Sequence, residues 1–303
     1  DLETAVKLWI LTKIIKKGRA VIPAKLLSNF ISSLPDEKIL LETKGLNIEI
    51  ECKNFKTQIQ GYNPEEFPIF PEFNDLEFLE VDNKKFCQGL SQIIDISSLS
   101  QTRPEISGVY FLFSENLIKI VATDSFRLAE KSISLGKTIK KDYSFILPSK
   151  PAKEIINILE EKDGMLKIYF SPNQILFEFP MKEATHPQIQ ITSRLIEGEY
   201  PNYQDIIPKK FKTRVILKRD EILNQIKTAS LFSGKINEIK FVVNTTNKEV
   251  GIFAKDPDIG ESKSTISAKT EGDPIEISFN HKFLTDGLLK IRSSEVSFDL
   301  SKE

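Results

Sequence analysis

The sequence predicts an α+β fold built from tandem copies of one unit, each with two short helices packed on antiparallel sheets. Three observations predict it. First, one amphipathic helix is spelled three times. Counted from Pro23, apolar residues fall at +3, +4, +7, +8 and +11 as Leu26, Leu27, Phe30, Ile31 and Leu34. From Pro148 the same offsets give Pro151, Ala152, Ile155, Ile156 and Leu159, and from Asn280 they give Phe283, Leu284, Gly287, Leu288 and Ile291. A lysine stands two residues into each copy, at Lys25, Lys150 and Lys282, and the three starts lie 125 and 132 residues apart. Second, another helix recurs as VDNKKFCQGLSQII (81–94) and LKRDEILNQIKTAS (217–230). Third, period-two runs bounded by Pro, Gly and Asn follow the repeated helix, the pattern of a meander.

In chain order, KILLET, LNIEIE and FKTQIQ follow the first helix as strands, with alternation clearest in LNIEIE. MLKIYF, QILFEF and QIQITSRLI follow the second copy, and VSFDL follows the third. An Asp marks the same step before each helix, at Asp1, Asp124 and Asp256, and an aromatic-proline-aromatic turn recurs in FPIF at Phe67 and YPNY at Tyr200. The unit therefore reads helix, strands, Asp, strand, helix, strands, aromatic-proline turn. Its joints fall near 73–79 and 207–211, where proline and charge replace periodicity. The units are 1–73, 74–208 and 209–303. By this repeat order the chain is expected to begin partway through copy one and stop partway through copy three.

Composition sets the class. The chain has 303 residues, 40% of them hydrophobic, ordinary for a globular protein with real cores. Lys and Arg total 42 against 43 Asp and Glu, so no overall basic excess advertises a nucleic-acid partner, and any such partner must meet a local patch. Two cysteines, Cys52 and Cys87, and two histidines, His186 and His281, are too few and scattered for a zinc site. Buried thiols are the plain reading of the cysteines. No apolar run approaches the 18 or so residues that span a bilayer.

The strongest single motif is IKIVATDSFRLAEKSI (118–133). A strand runs into Thr-Asp, turns through Ser125 and Phe126, and leaves as a second strand through Leu128. This stretch resembles the bacterial DNA polymerase III beta subunit, the replicative sliding clamp family, whose second domain carries a hairpin of the type VATDGHRLA. RLIEGEYPNYQDIIPKKFKT (194–213) resembles that family's joint between domains two and three, and IPAKLL with LPDEK resembles its first domain.

The resemblance implies tandem DNA-clamp domains, two subunits head to tail in a ring around duplex DNA, helices lining the hole, and no catalysis, cofactor or metal. It implies a cytoplasmic bacterial protein, at the nucleoid during replication. Its partners would be DNA without sequence preference, the polymerase III catalytic subunit, the clamp loader and other proteins with clamp-binding motifs. A homodimer is expected of the flanked, full-length chain, whereas the 303 residues alone are not expected to close a ring.

Site residues carry over by position. An apolar pocket for partners comprises Ile106, Thr123, Ser125, Phe126, Arg127, Leu128, Pro201 and Ile206, with Asn280 and Phe283 nearby. Two departures touch its rim: Ser125-Phe126 replaces the family's Gly-His, and Asp205 replaces an arginine common near the joint. DNA-facing cations are Lys25, Lys84, Lys85, Lys150, Lys153 and Arg103. All but Arg103 lie in expected helix starts, as do Lys218, Arg219 and Lys282. Cations there oppose the helix dipole at a cost of some tenths of a kcal/mol each. The subunit interface comprises Leu231 and Phe232 with Asp258 and Glu261 on one side, and Lys56 and Ile59 on the receiving edge strand.

Two other classes compete. A hydrolase could use Asp124 and Arg127 as a catalytic pair, but no Ser-His-Asp set, glycine-rich phosphate loop or paired carboxylates accompany them. A residue repeated at one structural step in every copy is better explained by capping a turn. A repeat scaffold that binds only proteins, with no DNA, is the remaining alternative.

Overall fold

The computed structural model describes residues 3–70, 73, 77–98, 102–139, 141–182 and 186–301. The chain opens with β1 (Thr4–Leu8), α1 (Ala24–Ser33), β2 (Leu40–Lys44), β3 (Asn47–Cys52) and β4 (Phe55–Ile59). A central unit follows: β5 (Phe78–Asp82), α2 (Asn83–Ile93), β6 (Gly108–Ser114), β7 (Leu117–Thr123), β8 (Leu128–Ser134), β9 (Tyr143–Pro148), α3 (Ser149–Leu159), β10 (Met165–Phe170), β11 (Gln174–Pro180) and β12 (Pro187–Arg194). The third comprises β13 (Thr213–Lys218), α4 (Arg219–Ser230), β14 (Glu238–Asn244), β15 (Glu249–Asp256), β16 (Gly260–Ser267), β17 (Lys269–Gly272), β18 (Ile275–Asn280), α5 (His281–Lys290) and β19 (Glu295–Leu300). This is the expected alternation, with one difference. Where the repeat order has one strand between the Asp and its helix, two (β8 and β9) follow Asp124 and three (β16, β17 and β18) follow Asp256. The joint expected near 73–79 falls partly on residues outside those described.

Among the described residues the strands form five antiparallel sheets, in the orders β1-β12-β11-β10-β5, β8-β7-β6-β9, β2-β3-β4, β16-β15-β14-β18 and β17-β13-β19. β1 pairs along β12, Val6 opposite Ile191, so the central sheet runs across the first boundary.

The central core shows why the repeated helix has its pattern. All five offset residues of α3, Pro151, Ala152, Ile155, Ile156 and Leu159, are buried. On α2 the buried set is Phe86, Cys87, Leu90 and Ile93. Phe86 stacks on Phe111 of one sheet at 5.7 Å between ring centroids and meets Phe177 of the other at 5.8 Å. The helix pair is thus wedged between the two sheets. The third core is separate, with Ile222, Ile226 and Ala229 of α4 packed on Phe241 and Ile252. The first is smaller: Leu27, Phe30 and Ile31 of α1 rest on Ile48, Ile50 and Ile59, while Leu26, on the predicted apolar face, stays exposed. Both cysteines are buried free thiols, and burial, with Glu160 adding to it, pushes the Cys87 thiol up to about 12. No helix among the described residues is long and apolar enough to cross a membrane.

One buried polar residue ties the helix pair together. Asn83, at the start of α2, donates its amide to the carbonyls of Leu159 and Lys162 at the end of α3, both at 2.7 Å. These are end-of-helix carbonyls without partners in their own helix. The Leu159 carbonyl also accepts the Lys162 N–H at 2.9 Å, so replacing Asn83 by Ala leaves it one donor and strands the Lys162 carbonyl, at about 1–3 kcal/mol. Urea unfolding should show Asn83→Ala losing about 1–3 kcal/mol; a loss within error would show that the tie does not hold the helices.

Candidate functional site

The hairpin motif folds as read. β7 and β8 pair with Thr123 opposite Leu128, leaving a four-residue turn. Asp124 closes it: its Oδ1 accepts the backbone N–H of Phe126 and of Arg127, both at 3.0 Å, and its Oδ2 accepts Nε of Arg127 at 3.0 Å. Thr123 Oγ1 donates to the Arg127 carbonyl at 2.8 Å and accepts the Ser125 N–H at 3.2 Å. These bonds hold Ser125 at φ 75°, a left-handed conformation costing a residue with a side chain roughly 1–2 kcal/mol. Asp256 repeats the device, accepting the N–H groups of Asp258 and Ile259 at 2.9 and 3.2 Å. The repeated Asp is therefore a turn cap in both described copies; Asp1 lies outside the described residues.

The turn presents two side chains in opposite ways. Phe126 is 83% exposed. Arg127 folds inward, with Nη1 2.6 Å from Asp286 on α5 and its guanidinium 4.7 Å from the Phe283 ring centroid. Burial pulls the Arg127 pKa down, but the hydrogen bonds to Asp286 and Asp124 outweigh it and leave the group raised. Arg127 thereby joins the central hairpin to the first turns of α5, whose N-cap is Asn280, accepting the Lys282 N–H at 3.0 Å. The joint segment approaches from the other side. Tyr203 is buried and donates its hydroxyl to Glu130 of β8 at 2.5 Å; burial, then that bond, pushes its pKa up to about 12.

Arg127 thus ties the hairpin to α5, and Tyr203 ties the joint to β8 of the same hairpin. Leu128 is half-buried, Pro201 is exposed and Ile206 is 70% exposed, so Pro201 and Ile206 are surface rather than interdomain core. Ile106 corrects the reading. At 4% exposure it offers a partner almost no surface. Asp205, one of the departures, is held by the Asn202 amide at 2.6 Å. Asp286, Tyr203 and Glu130 were not singled out from the sequence. Asp286 lies one helical turn beyond Phe283, the one signal that could have found it.

The expected DNA-facing cations are all exposed, Lys25 on α1, Lys84 and Lys85 on α2, and Lys150 and Lys153 on α3. Carboxylates repay part of their dipole cost: Lys84 lies 3.2 Å from Asp163, Lys153 3.9 Å from Asp95 and Lys218 2.8 Å from Glu221. Arg103 stands apart from the helices, its Nη1 3.5 Å from Ser125 Oγ beside the hairpin.

Among the interface residues, Leu231 is 70% exposed at the end of α4, whereas Phe232 packs partly on the third core. Asp258 is exposed in its turn, and Glu261 pairs with Lys255 at 3.5 Å on β16, an edge strand. Lys56 lies on edge strand β4, paired with Glu51. Ile59 is a second correction. It is 4% exposed within its own unit's core, so only its backbone lies along that edge.

The profile of the DNA polymerase III beta subunit central domain matches residues 80–202, and that of the C-terminal domain matches residues 204–303. The chain belongs to the DNA polymerase III beta subunit family. It is 28% identical over 293 residues to the beta sliding clamp of Staphylococcus epidermidis, covering 95% of this chain and 75% of that protein. The Staphylococcus aureus clamp gives the same identity and coverage. The beta subunit of Thermotoga maritima superposes with a TM-score of 0.88 at 25% identity, covering 99% of this chain and 80% of the other. The Bacillus subtilis clamp shares the fold at a TM-score of 0.90 and 24% identity, with the same coverage. The chain is accordingly a replicative sliding clamp, a processivity subunit that does no chemistry itself.

The Arg127–Asp286 pair generates a direct test. Arg127 is largely covered and Asp286 half exposed, so a double-mutant cycle with Arg127→Ala and Asp286→Ala should give a coupling of about 0.5–1 kcal/mol in unfolding free energy, shrinking in high salt. Strict additivity would show that the pair does not join the units.

Proposed function

We propose that the meeting of hairpin, joint and α5 around Arg127 is the partner site of this clamp, taking a short linear motif with Leu and Phe anchors. The observation that carries this is the set of apolar side chains, Phe126, Leu128, Pro201 and Ile206, left on the surface where two units converge. Burying two such anchors contributes roughly 3–6 kcal/mol. With a few backbone hydrogen bonds this brings affinity near micromolar, about 8 kcal/mol. The partners are the polymerase III catalytic subunit, the clamp loader and other carriers of clamp-binding motifs. Units 1–73, 74–208 and 209–303 act as successive clamp domains. Two full-length subunits close a ring through Leu231, Phe232 and the edges of β4 and β16, and the ring works on the nucleoid in the cytoplasm.

The lysines at the helix starts face duplex DNA and neutralise phosphate loosely. A ring that encloses DNA need not grip it, and contacts to phosphate carry no sequence information.

Two measurements test this reading. Leu128→Ala with Pro201→Ala should weaken binding of a polymerase-tail peptide, read by calorimetry, while leaving the fold intact. Peptide binding as tight as wild type would remove the pocket. Charge removal at Lys84, Lys85 and Lys150 in a full-length closed clamp should flatten the dependence of log affinity on log salt. The slope should fall by up to about 0.9 for each phosphate that a lysine no longer neutralises directly, and by less where water intervenes. An unchanged slope would count against a basic lining.

A further inference from the structure

We propose that the central unit carries a second docking surface, a groove along the open edge of β9 that takes an extended lysine- or arginine-bearing segment of a partner protein as an added strand. β9 ends the sheet β8-β7-β6-β9, at the edge opposite the strand that carries Leu128, so this groove is distinct from the partner site at the hairpin. Its volume is about 950 Å³, between β9, the turn joining β10 to β11 and the segment after β12.

The backbone supplies the docking edge. The Ile146 carbonyl accepts the Ile196 N–H at 2.9 Å, on the side away from β6. In an antiparallel pair, alternate residues bond to the same side. Ser144, two residues back and exposed, therefore aims its N–H and C=O at the groove. An added strand could make a pair of main-chain bonds there, the mode by which extended peptides join sheet edges.

The side chains set the chemistry of the occupant. Tyr143 stacks on Phe170 at 4.3 Å and Tyr110 on Tyr200 at 4.8 Å, giving the groove two aromatic walls. Among the described residues three carboxylates border it, Glu197 and Glu199 exposed and Glu77 held by the Tyr143 hydroxyl, against one cation, Lys141. Lys141 places its ammonium 5.4 Å from the Tyr143 ring centroid, so that ring takes a cation, and a lysine of the added strand would take the place of Lys141 there. A basic segment meets both the carboxylates and the ring faces, whereas an acidic one is repelled. The register at Ser144 sends alternate side chains of the added strand toward the walls and toward solvent.

The probe is a synthetic hexapeptide of alternating lysine and valine, titrated into the full chain while backbone amide shifts are followed, with a glutamate-for-lysine peptide as control. The lysine peptide should shift the amides of Ser144 and Ile146, and Glu197→Lys with Glu199→Lys should weaken it about tenfold. Ser144→Pro removes the edge N–H and should weaken it independently, with the rest of the spectrum reporting that the fold is kept. Shifts centred on Leu128 and Pro201, equal binding of the glutamate peptide, indifference to the double charge reversal, or no binding at all would overturn the proposal.

Discussion

Everything in the central unit depends on two sheets that cannot bury their inner faces without a helix pair between them. Phe86 touches aromatic rings of both sheets, and α3 gives its whole apolar stripe to the same core. A helix spent in this way has one face inside and one outside. The outer face is free to carry lysine, so a chain with a net charge of -1 can still present a local basic surface. Each sheet also ends in edge strands, β4, β9 and β16 among them, and an unpaired edge is a place where another chain can add.

The same constraint leaves the proposed partner site at a joint. The central and third cores share no residues, so little apolar burial holds one unit to the other. Polar contacts do it instead. Arg127 reaches Asp286, Lys290 reaches Asp95 at 2.6 Å, and the Gln92 amide donates to the Lys290 carbonyl at 2.6 Å. Asp286 and Lys290 are four residues apart and therefore on one face of α5. Exposed ion pairs contribute little each. The apolar side chains stranded at such a joint remain available to a third party.

Much of this was legible in the sequence because helix and strand periodicity are local signals. Period 3.6 located α1, α3 and α5, period two located β3, and the repeated Asp marked the two described turns. Inward or outward orientation was harder. Ile59 and Ile106 read as site residues from position, yet Ile59 belongs to the first core and Ile106 is buried, because alternation along a short strand or a single helical turn does not say which side is covered. Asp286 and Glu130 escaped for a related reason. Their partners lie 159 and 73 residues away in sequence, and no local pattern encodes a long-range ion pair or hydrogen bond.

The central claim is that hairpin, joint and α5 act as one partner site, and hydrogen exchange tests it most directly. On adding a polymerase-tail peptide, amides in the turn at 124–128, the joint at 201–206 and the first turns of α5 should slow together. Protection confined to one of the three segments, or appearing only on the helix faces that carry Lys84 and Lys150, would contradict it.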